Sequence, residues 1–161
     1  MTIRALKDTD QADILLWLAD YLEIHRAWWS ATYGVAPKIS LAELIKKNWH
    51  DLLDAVGDAE KSVWVLESQD KPVGVVRASL DQEDYLGIKV GVLDWVYVEE
   101  SARGKGAADL LLDAAHAWMS EQGALGRQVF VTAQNRAAVE LYKRRGYRII
   151  DCRMLGRLEQ S

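Results

Sequence analysis

The sequence predicts one mixed α/β domain, and three observations carry that expectation. The 161 residues are half hydrophobic, enough for a single sizeable core. Stretches with period-two alternation and stretches with helical spacing follow one another along the chain. No repeat, low-complexity tract or linker divides them, so residues 1–161 read as a single domain.

Each element has its own signal. TIRALK, residues 2–7, alternates as a short strand. Residues 8–29 carry apolar side chains at 14, 15, 18, 21, 22 and 28, a helical spacing, with Asp8, Thr9 or Asp10 as candidate caps. SATYGVAPKIS, with Gly34 and Pro37, breaks that helix. Ser40 and Glu43 form a capping box for a second helix, SLAELIKKNWHDLLDAV, ending near Gly57. KSVWVLES and VGVVRASL alternate as strands around the polar turn QDKP, and GVLDWVYV, residues 91–98, is a third strand-like run. A helix over 107–122 gathers Leu111, Ala114, Ala115, Trp118 and Met119 on one face and stops at Gly123. RQVFVTA reads as a strand, NRAAVELYKRRG as a short helix opened by Asn135 and closed by Gly146, and YRIIDCRML as a last strand. The predicted order is β-α-α-β-β-β-α-β-α-β.

Composition excludes several classes. No run of 18 apolar residues exists, so no membrane span is expected, and MTIRALKDTDQ lacks the apolar block of a secretory signal. Cys152 is the single cysteine, which forbids an intrachain disulfide and suits a reducing cytoplasm; a buried, inert thiol is expected there. The net charge of −4 offers no basic footprint for nucleic acid. His25, His50 and His116 have no metal-ligand spacing, so no metal is expected.

The stretch SARGKGAADLLL, residues 101–112, follows a strand and opens a helix. Unpaired N–H groups at such a helix start, the helix dipole and two glycines together make an anion site, to which Arg103 and Lys105 add charge. A glycine turn that merely starts a helix is the alternative. A Walker A loop would need Ser or Thr after Gly-Lys, and a dinucleotide fingerprint a glycine at Asp109, so ATP, GTP and NAD are disfavoured.

The loop has company. LDWVYVEESARGKGAADLLL, then a helix, a strand and NRAAVELYKRRGY, resembles the GNAT superfamily of N-acetyltransferases. The superfamily's acyl-CoA loop, R/Q-x-x-G-x-G/A, is matched by Arg103, Gly106 and Ala108, and its N-x-x-A-x-x-x-Y pattern by Asn135, Ala138 and Tyr142, ahead of Gly146 and Tyr147. The resemblance implies a mostly antiparallel sheet flanked by helices, with a V-shaped splay between two central parallel strands, 91–98 and 127–133. It assigns acyl-CoA binding to about 61–154 and acceptor choice to about 1–60. It implies an acetyl-CoA-dependent transfer to a primary amine by direct attack through a tetrahedral intermediate, with no acyl-enzyme.

The implied roles follow residue by residue. Backbone N–H groups of Arg103, Gly104, Lys105, Gly106, Ala107 and Ala108 would hold the CoA pyrophosphate. Val96 and Val98 would bond pantetheine through the main chain, Val96 N–H also meeting the oxyanion, and Asn135 would contact pantetheine. Tyr142 would be the general acid or the donor that orients the leaving thiolate; a core tyrosine and a plain helix cap are the alternatives for Tyr142 and Asn135. An alkyl amine of pKa ~10.4 must lose a proton first, and Asp94 is the first candidate base, with Glu99 and Glu100 next. Trp28, Trp29, Tyr33 and Trp95 would bind the acceptor, the aromatic-rich helix around Trp17, Tyr21, Trp28 and Trp29 and the SATYGVAPK loop forming one wall of its cleft, because aromatic faces suit cations. A non-catalytic acyl-CoA-binding module is the competing reading, and a different phosphate ligand a third. Only 15 residues follow Gly146, whereas the superfamily usually ends in two further strands. The last strand therefore stays unpaired, or LGRLEQS adds a seventh, or a homodimer partner completes the sheet.

Overall fold

In the computed structural model, which describes residues 1–159, five strands form one sheet in the order β1-β2-β3-β4-β5. β1 (Thr2–Ala5), β2 (Lys61–Ser68), β3 (Lys71–Glu83) and β4 (Ile88–Val98) are antiparallel neighbours, and β5 (Gly126–Val129) joins β4 in parallel. The hairpin between β2 and β3 turns on two residues, Gln69 and Asp70, both with positive φ, as a primed turn requires.

Helices cover both faces. α1 (Gln11–Tyr33) and α2 (Leu41–Asp54) bury Ile14, Trp17, Leu18, Trp49 and Leu52 against Val63, Val65, Val75 and Trp95. α3 (Ala107–Glu121) lays Leu111, Leu112, Ala115 and Met119 on the opposite face, against Leu66, Val76, Ala78 and Leu93. α4 (Arg136–Arg144) adds Tyr142 to that second core. Val65 and Leu66 enter opposite cores, as do Val75 and Val76. Period-two alternation in a sheet covered on both sides makes the central strands apolar throughout. The Ser40–Glu43 capping box is formed in full at the start of α2.

Two departures from expectation matter. The ladder between β4 and β5 ends at Leu93–Val129, so the expected strand 127–133 is cut to four residues, and β4 runs on to Val98 with that side open. YRIIDCRML forms no strand: residues 147–159 carry no regular structure, and Gln160 and Ser161 of LGRLEQS lie outside the described residues. The tail is held instead at the end of α1. Arg153 sits 5.4 Å over the Trp29 ring, and Arg157 donates to the Gly34 carbonyl at 3.2 Å. The segment pairs with no strand, although β5 ends the sheet with a free edge, and Cys152 is exposed rather than buried. No helix among the described residues is long and apolar enough to cross a membrane.

Candidate active site

The open half of β4 presents a row of backbone groups. Glu99 N–H donates to Val73 O, and Val98 lies opposite Gly74, Tyr97 opposite Val75 and Val96 opposite Val76. In the alternation of an antiparallel ladder, Tyr97 is then the residue bonded across to β3. The N–H and C=O groups of Val96 and Val98 point the other way, into the gap that β5 has left. One of them already has a partner: Arg103 Nε donates to Val98 O at 2.9 Å, and its guanidinium lies 5.7 Å from the Tyr97 ring centroid.

The glycine loop ends in a bare helix start. Gly106 occupies the N-cap position of α3 with φ 79, and no side chain caps it. The first intrahelical bond runs from Leu110 N–H to Gly106 O, so the N–H groups of Ala107, Ala108 and Asp109 find no acceptor among the described residues. Gly104 also has positive φ, at 72, and nothing lies within 4 Å of where a Cβ would project at either glycine. The requirement at Gly106 is thus one of backbone conformation and not of space. Gly106→Ala is expected to lose about 1–2 kcal/mol of stability in denaturant unfolding; a variant as stable as the parent would show that the loop relaxes freely.

These groups open on a cleft of about 1810 Å³. β4 contributes Val96, Tyr97 and Val98; the loop contributes Arg103 and Lys105; α3 contributes Ala108; α4 contributes Asn135, Ala138 and Tyr142. The far wall is one face of α1, with Asp13, Trp17, Asp20, Tyr21, Ile24 and Trp28 at helical spacing. Trp17 stacks on Tyr97 at 5.4 Å, and Tyr97 reaches Asp20 through its hydroxyl at 3.4 Å. His25 belongs to the same wall; its Nδ1 bonds the Tyr21 carbonyl at 2.8 Å, which fixes that nitrogen as the donor and leaves Nε2 as an acceptor. Burial holds this imidazole below its ordinary pKa, although the Tyr21 carbonyl opposes the shift.

Tyr142 is 8% exposed and packs in the core around α3, yet it also lines the cleft. Its hydroxyl is not sealed from solvent, and no hydrogen bond within the described residues occupies it. Burial pushes the phenol well above its usual range, with Tyr147 and Tyr21 adding to the effect. The group therefore remains an O–H donor at any working pH. Asn135 caps α4, its Oδ1 accepting from Ala138 N–H at 3.3 Å.

Other expected site residues lie elsewhere. Asp94 is the extra residue of a bulge in β4: Arg77 faces Trp95 and Ala78 faces Leu93, which leaves Asp94 unpaired. Its exposed carboxylate accepts from Ser79 Oγ at 3.1 Å and does not line the cleft with Tyr142. Its surroundings raise its pKa, chiefly by desolvation, against the Ser79 hydrogen bond and the nearby charges of Arg77 and Lys61. Trp95 is buried beneath the cleft wall, against Tyr21 and Tyr97, with its Nε1 unpartnered. Trp29 and Tyr33 stack together at the tail end of α1, outside the cleft. The expectation missed Asp20 and Tyr97. The helical recurrence of 13, 17, 20, 24 and 28 would have found Asp20, and strand alternation with its neighbours would have marked Tyr97.

Comparison with known families gives the class. The sequence matches the Acetyltransferase (GNAT) family model over residues 18–147, and the chain belongs to that family. Solved structures share the fold. A transcriptional regulator from Bacillus halodurans superposes with TM-score 0.72 at 20% identity, over 96% of this chain and 98% of that one. An aminoglycoside antibiotic 6'-N-acetyltransferase from Acinetobacter haemolyticus gives 0.69 at 17% identity, over 100% and 99%. A ribosomal-protein-alanine N-acetyltransferase from Brucella melitensis gives 0.67 at 17% identity, over 96% and 98%. No curated protein sequence matches the chain. Neighbours with such different roles on one fold leave the acceptor to be argued from the cleft itself.

Proposed function

We propose that the protein is an acetyl-CoA-dependent N-acetyltransferase acting on a primary amine by direct attack. The observation that carries this reading is the Tyr142 hydroxyl, a donor with no hydrogen-bond partner among the described residues, in the same cleft as the bare start of α3. Acetyl-CoA supplies the activated acyl group. The chain's residues fit it: three unpartnered N–H groups beside Arg103 and Lys105 suit a pyrophosphate, and the outward-facing main chain of Val96 and Val98 suits an amide-bearing arm. Arg103 must yield Val98 O for that carbonyl to serve, which frees its guanidinium to pair with a phosphate. Tyr142 donates to the leaving sulfur. With its own pKa raised by burial, it acts by hydrogen bonding to the thiolate more than by giving up its proton. Asp94 lies outside the cleft lining, so we assign deprotonation of the amine to acceptors on the wall, His25 Nε2 and Glu99. The first 60 residues select the acceptor through α1, whose acids Asp13, Asp20 and Glu23 alternate with aromatic rings and suit a cationic amine.

A panel of primary amines incubated with acetyl-CoA, followed by CoA release, tests the reading. Acetyl-CoA at a hundredfold excess over its dissociation constant is expected to stabilise the fold by about 2.7 kcal/mol. No stabilisation at saturation would reject the proposal. Stabilisation without turnover on any amine would favour a non-catalytic acyl-CoA-binding module.

A further inference from the structure

We infer that His116 is a positioning residue for Tyr142, acting through Tyr147; this rests on the role proposed for Tyr142. Tyr142 needs such help. A donor without a hydrogen bond of its own is aimed only by what its ring packs against, and catalysis tolerates little misplacement.

The geometry supplies the backing. The Tyr147 ring meets Tyr142 edge-on at 5.5 Å, and Tyr147 N–H donates to Tyr142 O at 3.0 Å. The far end of Tyr147 is fixed by His116 of α3, whose Nε2 lies 2.8 Å from the tyrosine oxygen. The direction of that bond follows from the next one. Arg127 Nη1 lies 3.0 Å from His116 Nδ1, and a guanidinium can only donate. Nδ1 therefore accepts, the single ring proton of a neutral imidazole sits on Nε2, and Nε2–H donates to Tyr147.

Arg127 completes the enclosure. Its guanidinium lies 4.9 Å from the Tyr147 ring centroid, and Nη2 donates to Arg145 O at 2.6 Å. α3, β5 and the segment after α4 thus meet on one ring. Burial, followed by the charges of Arg127 and Arg145 and opposed by Asp113, holds His116 down at about 4, so the neutral tautomer persists at working pH. None of these three groups lines the cleft. Tyr147 is in direct contact with the cleft-lining Tyr142.

The test is steady-state kinetics of H116L, H116Q and Y147F, each made in the wild-type chain and in Y142F. H116L and Y147F are expected to lower kcat about tenfold, short of the ~10²-fold that an ångström of misplacement costs, with KM for acetyl-CoA held within roughly twofold. H116Q is expected to restore most of kcat, because its amide oxygen can accept from Arg127 while its amide N–H donates to Tyr147. In the Y142F background the same changes should cost nothing further. An equal loss on both backgrounds would make the network merely structural and overturn the inference, as would full kcat in H116L or no rescue by H116Q. Should H116L fold poorly, Y147F, which removes one oxygen, carries the test alone. Full kcat in Y142F itself would strike at the proposed role of Tyr142 and so separate the two failures.

Discussion

Tyr142→Phe is expected to lower kcat about 10²-fold while leaving KM for acetyl-CoA within a factor of about three. The substitution removes one oxygen from a ring that is otherwise buried between α3 and the cleft, so the packing of the core is kept. On the proposed role, what is lost is the donor that meets charge developing on the leaving sulfur, an interaction strongest in the transition state. The pH dependence sharpens the expectation. Burial raises the phenol's pKa above its ordinary value near 10, so the O–H persists through pH 7–9 and Tyr142 contributes no alkaline limb there. The variant's profile should lie below that of the wild type by a constant factor over that range. A wild-type alkaline limb below pH 9 that vanishes in Y142F would show that Tyr142 titrates, and would contradict the burial effect.

Much of this site was legible because its parts are local. A glycine loop ahead of an apolar helix, a capping asparagine and a tyrosine seven residues after it are all written as short-range spacing, and the fold keeps each where the spacing put it. The opening between β4 and β5 was legible only through family resemblance, since nothing in the alternation of 91–98 tells where its parallel neighbour stops. Asp94 misled because a bulge is a property of two strands. The extra residue appears only once Arg77 is seen opposite Trp95 and Ala78 opposite Leu93. Trp29, Tyr33 and Trp95 lie off the cleft for a related reason: aromatic residues one position apart on a helix, such as Trp28 and Trp29, or one strand step apart, face different neighbours, and composition cannot say which face meets the cleft. The tail is the largest departure. YRIIDCRML alternates as a strand should, but Arg153 and the following Arg157 tie the tail to the end of α1, and it stays irregular although β5 leaves a free edge.

Asp10→Ala is expected to destabilise the fold by about 3–5 kcal/mol, the usual result of breaking a buried ion pair from one side. Asp10 holds the N-cap position of α1 as the sequence predicts, but its side chain bonds back to Lys7 and Arg4 and not to the N–H groups of α1. It is 2% exposed and clamps Arg4 in a bidentate pair, with Oδ2 and Oδ1 accepting at 2.7 and 2.8 Å, while Lys7 N–H adds a third bond at 2.9 Å. Arg4 Nε reaches Glu67 at 2.5 Å, so the cluster ties β1 to the start of α1 and to β2. Burial alone would raise the Asp10 carboxyl; the Arg4 hydrogen bonds, with help from Lys7, outweigh it and hold the pKa below the usual range. The sign of the pH effect follows. A depressed folded-state pKa contributes stability that is present above the unfolded value of about 3.9 and is lost as pH falls through the folded value. Denaturant unfolding of the wild type and of Asp10→Asn should therefore differ most near pH 6–7, and the gap should narrow steadily once pH drops below about 4. A gap that stays constant down to the acid transition would mean that the carboxylate's charge contributes nothing and that only its shape matters. Because Arg4 and Asp10 also line the cleft, the same measurement with saturating acetyl-CoA shows whether the clamp and the proposed cofactor site are coupled. Separate sites would leave the gap unchanged.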